Sequence, residues 1–428
     1  MQPAFNFLSR QRMQLKRVVV TGIGAITPLG KTLDTYWEGL SNGVSGADFI
    51  TQFDCSKFKT RFACEVKGFD ATQYLDRKEA RKIDRFTQFA LIVSDQAMQD
   101  AGLSRETINA DRAGVIFASG IGGLITFQEE VSAFALGDGT PRFNPFFIPK
   151  MILDIAAGQI SMRHGLRGPN YAVVSACASS TNAIIDACDI IRLGKADIVL
   201  SGGSEAVISA AGVGGFNAMK ALSERNDDPK TASRPFDKDR DGFVMGEGAG
   251  MLVLEELEHA LARGAKIYCE VAGGGATADA HHITAPHPEG LGATNVMRAA
   301  LSDAGLQPSD IDYINVHGTS TPLGDIAETK AILNVFGEHA YNLNISSTKS
   351  MTGHCLGAAG ALEAIACVMA VQNNLVPPTI NHFTDDPELD AHLNFTFNKA
   401  QQRTVRAALS NTFGFGGHNA SLIVKKFA

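Results

Sequence analysis

Two stretches of this chain are too apolar to lie at a protein surface, so the fold has to enclose both. Residues 177–193 (CASSTNAIIDACDIIRL) confine their charges to Asp186, Asp189 and Arg192, at three-residue spacing. Residues 356–371 (LGAAGALEAIACVMAV) hold a single acid, Glu363. Both are helical in composition, and a helix that is apolar nearly all round belongs in an interior. The first begins at Cys177 and is stopped by Gly194, and the second begins just after His354. One buried helix in each half, each with a reactive side chain at its head, suggests an internally duplicated α/β unit.

The rest of the chain supplies the sheet that such helices need. Short apolar, β-branched segments occur at 17–22, 114–119, 197–202 and 250–255, and again at 267–273, 311–316, 343–347, 407–411 and 420–424. Helical stretches such as 84–101 and 293–304 lie between them, with no long linker. Continuously apolar strands between helices imply a sheet covered on both faces. The reading divides the 428 residues into a disordered leader at 1–16, an N-terminal half at 17–266 and a C-terminal half at 267–428.

Composition excludes several classes. A net charge of −7 argues against general nucleic-acid binding. On the sequence, no apolar run reaches the roughly 18–20 residues that cross a bilayer. The seven scattered cysteines form no Cys-x-x-Cys pair, which points to a reducing, cytoplasmic setting without a disulfide framework. His281, His282 and His287 have no partners at ligand spacing and read as loop histidines, so no metal is expected. Gly22-Ile23-Gly24 mimics a dinucleotide fingerprint, but Thr27 and Pro28 break it, and it reads as a turn.

Three residues carry the chemistry. Cys177 lies where a strand turns into a buried helix, and there the helix dipole and unpaired N–H groups favour thiolate and can hold an oxyanion. His317 follows one strand end and His354 lies between another strand and a helix, positions whose side chains enter clefts. A cysteine that accepts an acyl group and two imidazoles that stabilise an enolate form a coherent set.

Together the motifs resemble a known family. Ser175-Ala176-Cys177-Ala178, the His317–Pro322 run His-Gly-Thr-Ser-Thr-Pro, Thr348-Lys349-Ser350-Met351-Thr352-Gly353-His354 and Phe413-Gly414-Phe415-Gly416-Gly417 occur in that order, with Arg240–Gly248 between the first and second. Over 17–426 the chain is similar to the elongating β-ketoacyl-acyl-carrier-protein synthases, synthase II type. The resemblance implies a thiolase-like duplicated αβαβα five-layer fold with two mixed five-stranded sheets, assembled as a homodimer. It implies Cys177 as nucleophile, His317 and His354 as decarboxylation partners and Lys349 as a supporting charge. The N–H groups of Cys177 and Phe415 would form an oxyanion hole, with the Phe415 ring as gate. Thr319 and Thr321 would contact phosphopantetheine, and Ile121 would line the acyl tunnel. Acyl carrier protein would dock on Lys78, Arg81 and Lys82, which at i, i+3, i+4 share one helix face, with Lys220 and Arg225 as further contacts. No metal or redox cofactor is implied, since the substrates ride on the carrier's phosphopantetheine.

Rival readings are a discrete polyketide ketosynthase, whose nucleophile usually sits in Thr-Ala-Cys-Ser-Ser, and a non-catalytic chain-length partner, which loses the cysteine. A thiolase would carry a second cysteine where this chain has Phe415-Gly416-Gly417-His418.

Overall fold

A computed structural model describes residues 15–427, so positions 1–14 of the expected leader lie outside the described residues. Ten strands carry the architecture. In the first half they are β1 (Val18–Ile26), β2 (Ala113–Ala118), β3 (Asn170–Val173), β4 (Ile198–Glu205) and β5 (Gly248–Glu256). In the second they are β6 (Cys269–Ala278), β7 (Tyr313–Asn315), β8 (Asn344–Ser346), β9 (Ala407–Gly414) and β10 (His418–Lys425).

The two sets are wired alike. In order β1-β5-β4-β2-β3 the pairings run antiparallel, antiparallel, parallel, parallel. In order β6-β10-β9-β7-β8 the same sequence of pairings recurs. The two five-stranded sheets are not separate, however. Val18–Val20 pair with Cys269–Val271, so β1 and β6 join them into one ten-stranded sheet. Each of these strands is the edge of its own half, and pairing them satisfies backbone groups that an open edge would leave unpaired.

Six helices complete five layers: α1 (Arg85–Asp100), α2 (Ile155–His164), α3 (Ser179–Arg192), α4 (Leu291–Ala304), α5 (Pro322–Phe336) and α6 (Ala359–Asn373). Helices α1 and α2 cover the outer face of the first half, and α4 with α5 covers that of the second. Between the halves lie α3 and α6, touching each other and strands from both sets. This is why their sequences are apolar nearly all round: α6 is buried along almost its whole length, and α3 reaches solvent only on the side that carries Asp186 and Asp189. Residues Leu356–Asn373 are long and apolar enough to cross a membrane, contrary to the expectation that no run qualifies, but this helix is 83% buried in the protein interior.

Gly22 and Gly24 lie inside β1 rather than in a turn. A Cβ on either would fall 2.3 and 2.1 Å from carbonyl oxygens of Ala97 and Val93, so the glycines let α1 pack directly onto the strand.

Candidate active site

The first elbow is built from a strand end. After β3 the chain passes through Ala176 at φ +51°, and residues Ala176–Ala178 form a 3-10 turn ahead of α3. Ser179 ties the turn, its Oγ accepting the Ser175 N–H at 2.8 Å and donating to the Ala176 carbonyl at 2.6 Å. Cys177 is therefore the middle of a tight turn, two residues before the α-helix, rather than its first residue. Its surroundings also differ from the expected thiolate site. Burial pushes the thiol up to about 12, opposed by Lys349 and by the Phe415 N–H aimed at the sulfur, so the resting group is a protonated thiol.

His354 comes from the second half. Its backbone N–H donates to Val244 at 2.7 Å and its carbonyl accepts from Gly246 at 2.9 Å, which stitches the segment to the first half. Its Nε2 then sits 3.0 Å from the Cys177 Sγ. His317 follows β7, and Glu328 of α5 holds it in place: the carboxylate accepts the N–H groups of His317 and Gly318, each at 2.9 Å. Asn411 donates to the same carboxylate at 3.2 Å. The two imidazoles stand perpendicular, with centroids 5.3 Å apart. Burial, with Lys349 as the next cause, holds both well below the ordinary histidine range, so both are neutral.

Lys349 is 1% exposed, and its Nζ is paired with Glu363 on α6. Burial pushes the Glu363 carboxyl up to about 7 while Lys349 pulls it down. Lys349 thus lowers both imidazoles without lining the cavity.

One cavity of about 480 Å³ gathers most of the sequence-derived residues: Cys177, His317, His354, Phe415, Thr319, Thr321, Ile121 and Lys220 all line it. Thr319 and Thr321 are bonded to each other at 3.0 Å. Gly414 closes one wall so tightly that a Cβ there would meet the Ser175 carbonyl at 2.6 Å and the Cys177 nitrogen at 3.1 Å. The basic residues are not gathered. The helix carrying Lys78 ends at Ala80, so Arg81 is its cap and Lys82 lies beyond it, and the expected single helical face does not form. Lys82 instead lies over the Phe146 ring at 5.5 Å, and Arg225 donates to the Asp239 carbonyl at 2.9 Å.

Sequence reasoning missed Glu328 and Glu205. Glu328 stands eleven residues from His317, with no periodic signal linking them. Glu205 ends the apolar strand 198–205 and is 0% exposed; an acid closing a fully buried strand is a signal that could have been read.

Comparisons with known proteins converge. Residues 15–260 match the family described as "Beta-ketoacyl synthase, N-terminal domain", and residues 268–383 match "Beta-ketoacyl synthase, C-terminal domain". The chain is 53% identical to 3-oxoacyl-[acyl-carrier-protein] synthase 2 of Synechocystis, covering 97% of this chain and 99% of that one. It is 51% identical to the protein of the same name from Staphylococcus aureus (strain COL), with the same coverage. Among solved structures, the ishigamide ketosynthase/chain length factor superposes with a TM-score of 0.90 at 36% identity, over 97% of this chain and 100% of that one. A type II polyketide acyl-carrier protein in complex with its ketosynthase gives 0.89 at 34% identity, again over 97% and 100%.

Proposed function

The chain belongs to the β-ketoacyl synthase family, and on that premise we propose that it elongates fatty acyl chains by decarboxylative condensation on acyl carrier protein. The observation that carries the reading is the contact of a buried cysteine with one neutral imidazole, beside a second, in one cavity.

The chemistry runs in two stages. The Cys177 thiol gives its proton to His354 Nε2, and its sulfur attacks the acyl thioester carbonyl. The Phe415 N–H faces that sulfur and, with the Cys177 N–H, stabilises the developing oxyanion. The carrier thiolate leaves with the proton from His354. Malonyl-carrier protein then enters past Phe415, its arm against Thr319 and Thr321. Its carboxylate departs as carbon dioxide, and the electron pair left behind forms an enolate whose oxygen accepts N–H donation from His317 and from His354 in its Nε2–H tautomer. Neutral imidazoles suit this role, because they donate without being acids strong enough to quench the enolate. The enolate carbon attacks the acyl-cysteine carbonyl, the carbon–sulfur bond breaks, and the released cysteine thiolate takes up one proton from solvent, which the cycle consumes. Loss of carbon dioxide drives the step, so neither metal nor redox cofactor takes part.

The 51–53% identity to proteins named 3-oxoacyl-[acyl-carrier-protein] synthase 2, against 34–36% to the ishigamide ketosynthase/chain length factor and the type II polyketide ketosynthase complex, favours the primary over the specialised pathway. The protein would act as two halves, 17–266 and 267–428, in the cytoplasm and as a homodimer. Exposed Phe127, Phe134 and Ile148, and the open edge strand β3 with exposed Tyr171, support the dimer. The five basic residues Lys78, Arg81, Lys82, Lys220 and Arg225 would receive the acidic carrier.

A single-turnover experiment tests the reading. Incubation with acyl-carrier protein should add one acyl mass to the Cys177 peptide, and malonyl-carrier protein should then discharge it as 3-oxoacyl-carrier protein. Acylation at another residue, or none, would refute it.

A further inference from the structure

The duplication creates a second elbow. Leu356, at φ +47°, opens a three-residue 3-10 turn (Leu356–Ala358) ahead of α6, just as Ala176 opens Ala176–Ala178 ahead of α3. The middle residue is Cys177 in one and Gly357 in the other. Each elbow faces the last residue of the matching strand from the opposite half. At the first elbow that residue is Gly414, the end of β9, which has no side chain to set against Cys177. At the second, Glu205 ends β4, and its carboxylate accepts the Gly357 N–H at 2.9 Å.

That carboxylate is fully engaged. It also accepts the N–H groups of Gly120 at 2.7 Å, Ile121 at 3.2 Å and Gly122 at 3.3 Å, and the Ser119 hydroxyl at 2.9 Å. The packing leaves no room for another occupant: a Cβ on Gly357 would meet the Gly120 nitrogen at 2.1 Å and Glu205 Oε2 at 2.7 Å. Four backbone amides converging on one anion are what an oxyanion pocket offers. Two of the residues held this way, Gly120 and Ile121, line the cavity, as does Leu356 next to Gly357.

We infer that Glu205 is a built-in anion filling the second half's counterpart of the oxyanion pocket, and that it is thereby the positioning residue for the cavity wall formed by Ile121 and Leu356. This rests on the reading of that wall as the acyl channel. Glu205 touches no substrate. Its carboxylate fixes how far Ile121 and Leu356 stand back, and so how long a chain the cavity admits.

The test is Glu205→Gln in the full chain, assayed with butyryl- and myristoyl-carrier thioesters. Glutamine keeps the volume but turns one acceptor oxygen into a donor facing backbone N–H groups. The long-to-short ratio of kcat/KM should fall about tenfold, chiefly through KM for the long substrate, while kcat for the short substrate stays within about twofold. Equal losses on both substrates would mean a merely structural role and overturn the inference. Glu205→Gly adds a rescue arm: formate, but not chloride, should restore the ratio, and a folded variant indifferent to formate counts against the proposal. If neither variant folds, Ser119→Ala removes one of the five donors and should shift the ratio about threefold in the same direction; no shift overturns it. Wild-type protein inactive on both substrates would instead sink the condensing-enzyme reading itself.

Discussion

His354 Nε2 lies 3.0 Å from Cys177 Sγ, with both side chains buried and both on the uncharged side of their titrations. Burial pushes the thiol up to about 12 and the imidazole well below its ordinary range, so the pair rests as thiol and imidazole rather than as an ion pair. A raised thiol pKa means that the thiolate fraction grows throughout the accessible pH range. Alkylation of Cys177 by iodoacetamide should therefore climb about tenfold per pH unit up to roughly pH 9, without levelling. A plateau near neutrality would show a preformed thiolate.

Replacing the nucleophile separates the two stages. Cys177→Ala should lower condensation by at least about 10³-fold, because among the described residues no other cysteine lines the cavity. The alanine fits the turn, so thermal stability should change little. Cys177→Gln presents an amide shaped like the acyl-enzyme carbonyl, and this variant should still release carbon dioxide from malonyl-carrier protein. A silent glutamine variant would argue that decarboxylation and acyl transfer cannot be uncoupled.

The two histidines should not behave alike. Only His354 touches the sulfur, whereas the backbone of His317 is fixed by Glu328. His354→Ala is thus expected to slow both acyl transfer and decarboxylation, and His317→Ala mainly decarboxylation, by about 10²–10³-fold. From sequence alone both would be assigned to the malonyl step; the contact with sulfur adds a task for His354. Pre-steady-state acylation, followed separately from carbon dioxide release, distinguishes the two, and equal profiles for the two variants would contradict the split.

Cys177, His317 and His354 are legible in sequence because each is a reactive type at a strand-to-helix transition, where loops face clefts whatever the tertiary details. The five layers follow from the two helices that are apolar nearly all round. Less accessible was anything set by burial across the halves. The thiol's protonated state depends on how tightly α3 and α6 are enclosed, which local pattern does not encode. Glu328 reaches His317 only because α5 folds back over β7. Lys78, Arg81 and Lys82 match a helical period, but the helix stops at Ala80, and the spacing alone could not show that. The joining of β1 to β6 is likewise a long-range event between two ordinary edge strands.

Lys349 and Glu363 form a buried pair, and breaking it should have two signatures. Lys349→Met leaves Glu363 without its cation, a loss of about 3–5 kcal/mol when the carboxylate is ionised. The Glu363 carboxyl already titrates higher in the fold than in the unfolded chain, and losing Lys349 raises it further. Stability tied to its neutral form is present at low pH and lost as pH rises through the folded value. The melting-temperature deficit of the variant should therefore widen from about pH 5 to pH 8. Lys349 also depresses both imidazoles, so its removal should move the acid limb of the condensation profile to higher pH. A deficit independent of pH would show that the ion pair is not what the lysine contributes.

Lys78 and Arg81 are exposed around the end of a four-residue helix, while Lys220 is the one proposed carrier contact that also lines the cavity. An acidic partner steered by separate positive sites should lose affinity when their sign is reversed, and the loss should fade as salt screens it. Lys78→Glu with Arg81→Glu should raise KM for acyl-carrier protein about tenfold at low salt, and by less than about twofold near 0.5 M. Turnover of a small acyl-pantetheine thioester, which needs no docking surface, should not change. Lys220→Glu should weaken use of both substrates, since this side chain borders the route that the arm itself follows. Equal salt dependence for the double variant and the parent would remove Lys78 and Arg81 from the docking surface.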